Sequence, residues 1–141
     1  MKIQVQLDKN AKMPTKGYKD DAAFDLYSNQ LFTTIEPGKS EVFKTGTHMN
    51  IPKGYCGLLV SKSGMNVNHG ITSTGLVDSG YHGEIMVKLY NHSDKPYTVF
   101  RGDKISQILI LPIPIAELEK VDEFDEDTER GDKGFGSTGK S

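Results

Sequence analysis

Asp78 stands inside the run Gly75-Leu-Val-Asp-Ser-Gly-Tyr-His-Gly83. A carboxylate that closes an apolar strand sits at a rim, where it can hold a water and take its proton. Tyr81, three residues on, offers a flat ring face beside it. The glycines around both leave backbone N–H and C=O groups open to a base edge. The same letters also spell an ordinary Asp-Ser-Gly hairpin turn. Asp25 in Ala22-Ala-Phe-Asp-Leu26 is a carboxylate inside an apolar run, where burial without a partner is costly. A cation or water ligand and an edge-strand aspartate both fit it. Ser61-Lys-Ser-Gly64 puts the charge of Lys62 beside hydroxyl and backbone donors at Ser63 and Gly64. That set suits an anion or a polar turn. Arg101-Gly-Asp-Lys-Ile-Ser-Gln107 begins as turn chemistry and ends on Gln107, an amide opening an apolar strand that needs a ligand or backbone partner.

The C-terminal letters Gly134-Phe-Gly-Ser-Thr-Gly-Lys-Ser141 match a phosphate-binding P-loop. That loop needs a strand before it and a helix after it. An acidic, polar tract precedes it and nothing follows Ser141 to build the helix, so a Walker site is not expected. The local chemistry remains useful. Closely spaced glycines, Gly136 among them, expose N–H groups, Ser137 and Thr138 add hydroxyl donors, and Arg130 and Lys133 add charge. Phe135 is an aromatic isolated among glycines. One reading is an arm that wraps a phosphorylated ligand and lays Phe135 on a ring; the other is a disordered polar tail. The histidines at 48, 69, 82 and 92 show no metal-ligand spacing, and the single Cys56 can build neither a zinc site nor an intrachain disulfide. A metal acting here is expected to be a hard cation held by oxygens, Mg2+ first.

The elements that must position these groups are strands. Ile3, Val5 and Leu7 alternate with polar residues, and Glu41–Phe43, Gly57–Val60, Ile85–Tyr90 and Tyr97–Phe100 are short runs of β-formers. Pro37-Gly38, Pro52-Lys-Gly54, Ser63-Gly64 and Ser79-Gly80 read as turns. Turns at roughly ten-residue intervals predict an all-β sandwich, jelly roll or barrel. At most a helical turn or two is expected near Lys62–Asn68, with Met65 inward and Gly70 ending it. Ile108 to Leu111 is apolar at successive positions, so that strand needs cover on both faces, from its own core or from a second subunit. From Glu117 the chain turns acidic and polar. We expect a core over residues 1–118 and, over 119–141, an acidic linker with a glycine-rich mobile arm.

Composition excludes several classes. The 141 residues carry 17 Lys+Arg and 19 Asp+Glu, a net charge of −2, which argues against a general nucleic-acid coat. The longest apolar run, Ile108 to Ala116, holds two prolines and is too short to span a bilayer. No apolar h-region follows Lys2, so no secretory signal is expected. With one cysteine, a reducing cytoplasmic compartment is the natural reading.

The five segments at 22–26, 61–64, 75–83, 101–107 and 130–139 occur in the order and approximate spacing of trimeric dUTPases, and the chain resembles that family from about Lys12 to Gly139. The resemblance implies a distorted jelly-roll subunit (a dUTPase-like β-clip) in a homotrimer with three shared sites. It implies hydrolysis of dUTP to dUMP and diphosphate, which keeps uracil out of DNA and supplies dUMP for dTMP synthesis. Asp78 would activate the water that attacks the α-phosphorus, and Asp25 would hold Mg2+ through water. Lys62, Ser63, Gly64 and Gln107 would serve the phosphates. Thr72, Gly75, Leu76 and Val77 would read uracil, largely by backbone pairing, with Met86 nearby. Tyr81 would stack on the deoxyribose and exclude a 2′-hydroxyl. From the arm, Arg130 would clamp the γ-phosphate, Phe135 would cover uracil, and Gly136, Ser137 and Thr138 would meet phosphates. Two positions depart from the family pattern: Lys62 stands for an arginine, and Thr72 for a frequent asparagine. The rival enzyme on the same scaffold is a dCTP deaminase, for which Glu84 is the nearby acid/base. A different class is a regulatory protein whose partner contact is switched by nucleotide; an intact Asp78 and arm argue for working chemistry and leave room for that second role.

Overall fold

The computed structural model describes residues 1–140; Ser141, the last residue of the arm and of the P-loop-like letters, lies outside the described residues. Eleven strands and one short helix follow in order: β1 Gln4–Leu7, β2 Phe24–Tyr27, β3 Phe32–Ile35, β4 Ser40–Lys44, β5 Thr47–Asn50, β6 Tyr55–Val60, α1 Ser63–His69, β7 Ile71–Thr72, β8 Thr74–Val77, β9 Met86–Asn91, β10 Tyr97–Phe100 and β11 Lys104–Pro112. The fold is the expected all-β, jelly-roll-like sandwich. A four-stranded sheet runs β2-β11-β6-β8 and a three-stranded sheet runs β4-β9-β7, with two-stranded pairs β1-β5 and β10-β3. One apolar cluster joins Leu26, Leu59, Val77, Ile105 and Ile108 of the larger sheet to Phe43, Ile71, Val87 and Leu89 of the smaller. The alternation in β9 is regular: Val87, Leu89 and Asn91 are buried while Met86, Lys88 and Tyr90 face out.

Three sequence expectations change in detail. Ser63-Gly64 is the first turn of α1 rather than a loop turn. Met65 is the helix's buried residue, and Gly70 closes it in the left-handed region at φ 66°, where its N–H reaches the Asn66 carbonyl. Second, the run around Asp78 is not a ladder hairpin. β8 pairs with β6, while β9 pairs with β4 and β7, so residues 78–85 carry the chain from one sheet to the other. Third, Thr72 and Gly75, which the resemblance groups as readers of one base, lie on strands of different sheets: β7 belongs to the smaller sheet and β8 to the larger, with buried Ser73 at the crossing. Period-two patterning sets strand faces but not strand partners, which is why a hairpin reading fitted the letters. In β11, Ile105 and Ile108 are fully buried, but Leu109, Ile110 and Leu111 are only half-buried, so the single chain does not supply the second cover. Beyond Pro112 no described residue is in a strand or helix, and residues 117–140 are exposed.

Candidate functional site

Asp25 lies in the middle of β2, and its backbone is bridged to Thr15. Its residue is 6% exposed, which would be costly for an unpaired carboxylate. Two ammonium groups resolve the cost. Lys62 Nζ lies 2.6 Å from Oδ1 and Lys104 Nζ 3.0 Å from Oδ2. Burial alone would raise the Asp25 carboxyl, but hydrogen bonds and charge from both lysines outweigh it and hold the group below the usual carboxylate range. The Asp25 bond in turn raises Lys104. Gln107 is the direct cross-strand partner of Asp25. These four side chains, with Gly17, Asp21 and Leu109, line a cleft of about 400 Å³. Two lysines and two carboxylates, Asp21 and Asp25, balance to no net charge, so the cleft offers cations to a polyanion once the lysines turn from the Asp25 carboxylate. Ser63 and Gly64 sit where Lys62 leads into α1. The helix has no side-chain cap, and first-turn N–H groups have no acceptor within a helix.

Lys104 was not singled out from the sequence. Strand periodicity places residues 104 and 107 on opposite faces. The register shift between Lys104 and Ser106 in the β11–β2 ladder brings both to the cleft, as a β-bulge does. A second unrecognised feature lies underneath. Ser61 Oγ donates to the Ser73 carbonyl (3.1 Å) and accepts from the Ser73 N–H (2.9 Å). Ser73 Oγ meets Ser106 Oγ at 2.8 Å, and Ser106 Oγ donates to the Val60 carbonyl at 3.0 Å. This hydroxyl chain ties the end of β6, the β7–β8 crossing and β11 together. Isolated serines in three separate segments carry no sequence signal of it.

Asp78 follows β8 and is exposed. Among the described residues its carboxylate has no hydrogen-bond partner within the chain, which leaves it open to water. Tyr81 Oη donates to the Glu84 carbonyl at 3.1 Å, and its ring lies over Gly83. A Cβ on Gly83 would fall 2.3 Å from Tyr81 Oη, so only glycine leaves the ring in that place. β8 has β6 on one side only, and alternate N–H and C=O groups on its other edge are free to pair. Leu76 is exposed there, Val77 is buried and Gly75 half-buried. Met86 begins β9 on the outward face. Thr72 is committed within the chain: its hydroxyl lies 2.8 Å from His92 Nε2. Glu84 is committed too, its Oε2 accepting the Gly46 N–H at 2.8 Å, which ties the one deaminase-type acid to backbone.

The cleft and the Asp78 segment do not meet in one chain. Asp25, Gln107, Val60 and Thr74 form a row across the sheet, and Asp78 lies four residues further along β8. Three strand spacings by four residues is a diagonal on the order of 20 Å. A base must come within about 3 Å of the proton it takes. Arg130, Phe135, Gly136, Ser137 and Thr138 lie in a run of turns. Arg130 Nε donates to the Lys133 carbonyl and Ser137 N–H to the Gly134 carbonyl, and among the described residues no hydrogen bond joins this run to the core. As for metals, no three His, Cys, Asp or Glu side chains converge among the described residues. Both Asp25 oxygens are taken by lysines here; once the lysines turn to a bound polyanion, the single ionised carboxylate fits a hard cation held through water, with the ligand's own oxygens supplying the rest. No helix is long and apolar enough to cross a membrane among the described residues.

A family model described as dUTPase matches residues 9–139. The deoxyuridine 5'-triphosphate nucleotidohydrolase of Corynebacterium glutamicum is 38% identical over 141 residues, covering 97% of this chain and 93% of that protein. The dUTPase of Staphylococcus bacteriophage 80alpha, solved with dUpNHpp, superposes with a TM-score of 0.91 at 35% identity, with 98% of each chain covered. A mutant dUTPase of phage phi11 of S. aureus, whose structure reveals the coordination of a structural Mg(II) ion, superposes with a TM-score of 0.82 at 31% identity, covering 89% of this chain and all of that one.

Proposed function

The chain belongs to the dUTPase family, and from that premise we propose how its residues carry the reaction. It is a dUTP diphosphatase: dUTP and water give dUMP and diphosphate. The observation that carries the reading is the convergence of Asp25, Lys62, Lys104 and Gln107 on one cleft, while Asp78 and Tyr81 sit on a separate edge.

The working unit is a homotrimer. The Asp78 segment of one protomer faces the cleft of its neighbour, and the half-buried residues of β11 help form the joint. Core residues 1–118 build this frame, and the 119–141 arm closes it. Asp78 takes a proton from water, whose oxygen bonds to the α-phosphorus as the bond to the bridging oxygen breaks and diphosphate leaves. Lys62, Lys104 and the Ser63 and Gly64 donors bind phosphate oxygens, and Gln107 orients the same group. Arranged donors of this kind do most of the work on a substrate with about four negative charges. Mg2+, held through water by Asp25, supplies charge neutralisation and polarises the phosphates when bound. The free edge of β8 at Gly75, Leu76 and Val77 pairs with uracil, whose 4-oxo group exchanges donor for acceptor relative to cytosine. Thr72 and Met86 border that pairing. Tyr81 packs on the sugar and leaves no room for a 2′-hydroxyl. Arg130, Gly136, Ser137 and Thr138 meet phosphates, and Phe135 covers the base. Compartment follows cysteine use: Cys56 is a buried free thiol, in keeping with the cytoplasm. Measuring diphosphate release from dUTP, dTTP, UTP and dCTP side by side tests the reading. Release from dUTP alone is expected; equal release from UTP overturns the role of Tyr81, and a parallel ammonia assay that finds deamination of dCTP without diphosphate from dUTP overturns the hydrolase assignment.

A further inference from the structure

Residues 78–85 carry Asp78 and Tyr81 outside any strand, so their position depends on what fastens them. The ties run to β5 and to the residues on either side of it. Gly80 N–H donates to the Ile51 carbonyl (3.3 Å), Ile85 N–H to the Thr47 carbonyl (2.8 Å) and Thr45 Oγ1 to the Ile85 carbonyl (2.6 Å). One tie differs in kind. His48 Nδ1 lies 2.8 Å from the His82 carbonyl oxygen, and its Nε2 lies 3.1 Å from Asp8 Oδ1. Both partners are acceptors only. A neutral imidazole has one N–H and would turn a lone pair toward one of these oxygens; only the imidazolium satisfies both. The ring therefore bridges three segments: the residue after β1, the middle of β5 and the connector.

We propose that His48, backed by Asp8, is a positioning residue that holds the 78–85 connector, and with it Asp78 and Tyr81, in the orientation turnover requires, and that loss of its proton loosens that hold. The inference rests on the roles assigned above to Asp78 and Tyr81. Charged and titratable groups facing the ring are Asp8 from the end of β1 and His82 and Glu84 from the connector. The His82 carbonyl bond and then the Asp8 bond raise the imidazolium against an opposing burial effect, with the Asp8 and Glu84 charges adding less, so His48 stays protonated above the usual histidine range. The His82 ring faces the neutral Asn50 side chain at 2.9 Å, and the Glu84 carboxylate is fixed on the Gly46 N–H. The clamp is whole below the ordinary histidine value of about 6.5 and is lost as pH rises through the raised value. Deprotonation must break one bond, to Asp8 or to the connector.

The test is a pH profile of kcat/KM for dUTP with three variants, together with an NMR titration of the His48 ring in the intact protein. Wild type is expected to lose activity along an alkaline limb that starts above about pH 6.5. Asp8→Asn moves that limb and the His48 titration to lower pH. His48→Ala lowers kcat/KM roughly fivefold near pH 6 and abolishes the limb. His48→Gln keeps a donor for the His82 carbonyl, recovers much of that loss and shows no limb. A wild-type His48 titrating at the ordinary value, or an alkaline limb unchanged in all three variants, overturns the proposal. Asp78→Asn in the same series keeps the two ideas apart. If it retains turnover, the Asp78 assignment fails, while the ring titration, read without turnover, still reports on the clamp.

Discussion

Two inactive variants should restore each other. Asp78→Asn removes the proposed base, and Asp25→Asn removes the carboxylate of the cleft. Since these groups lie on the order of 20 Å apart in one chain, each site must take them from different protomers. Alone, each variant is expected to lose turnover by about 10²-fold or more. Mixed in equal amounts, unfolded in urea and refolded together, they assemble at random. A site works when the protomer lending Asp78 is the Asp25→Asn chain and the one lending Asp25 is the Asp78→Asn chain. Each condition is met about half the time, so roughly a quarter of wild-type activity should return. Diphosphate release before and after co-refolding measures it, with each variant cycled alone as control. Co-refolded activity no greater than the mean of the two variants would refute the shared site, and with it the reasoning from strand register to assembly.

Gly83→Ala places a Cβ 2.3 Å from Tyr81 Oη; the ring must swing off, and dUTP-over-UTP discrimination should fall about tenfold with the melting temperature little changed. Lys62→Arg should keep or raise turnover, because the guanidinium keeps the charge and adds a planar fork for phosphate oxygens; a loss above roughly tenfold, about 1.4 kcal/mol, would count against the phosphate role. Deleting residues 130–141 should lower turnover without unfolding the core, since no hydrogen bond joins the described part of that segment to it; a large fall in melting temperature would contradict this. The depressed Asp25 carboxyl contributes stability that is present above its unfolded value of about 3.9 and lost as pH falls through the lower folded value. Urea unfolding should therefore show wild type more stable than Asp25→Asn at neutral pH, with the gap closing below about pH 4.

Much of the site was legible as letters. Asp25, Lys62 and Gln107 stand in three separate segments, each of which also spells a turn or a core strand, and the cleft is where they meet. Gly70 was read as a helix stop and takes the left-handed conformation that requires it. Lys104 went unread because a bulge, not a pattern, turns it toward Asp25. Ser73 and Ser106 went unread because a lone serine has no period. His48 showed nothing, since its meaning lies in Asp8, forty residues before it, and in the His82 carbonyl, thirty-four after it.

Most strand faces and turn positions, the lack of a long helix among the described residues and the five chemical segments were set by the chain itself. Each depends on neighbours a few residues apart: a two-residue repeat, a glycine able to take positive φ, a proline that cannot donate. Which strands lie side by side was decided only in three dimensions, as was the fact that residues 78–85 bridge two sheets instead of closing a hairpin. So was the distance between the base and the cleft. Partner choice comes from how apolar faces of distant segments pack into one core, a sum over the whole molecule that no short stretch contains.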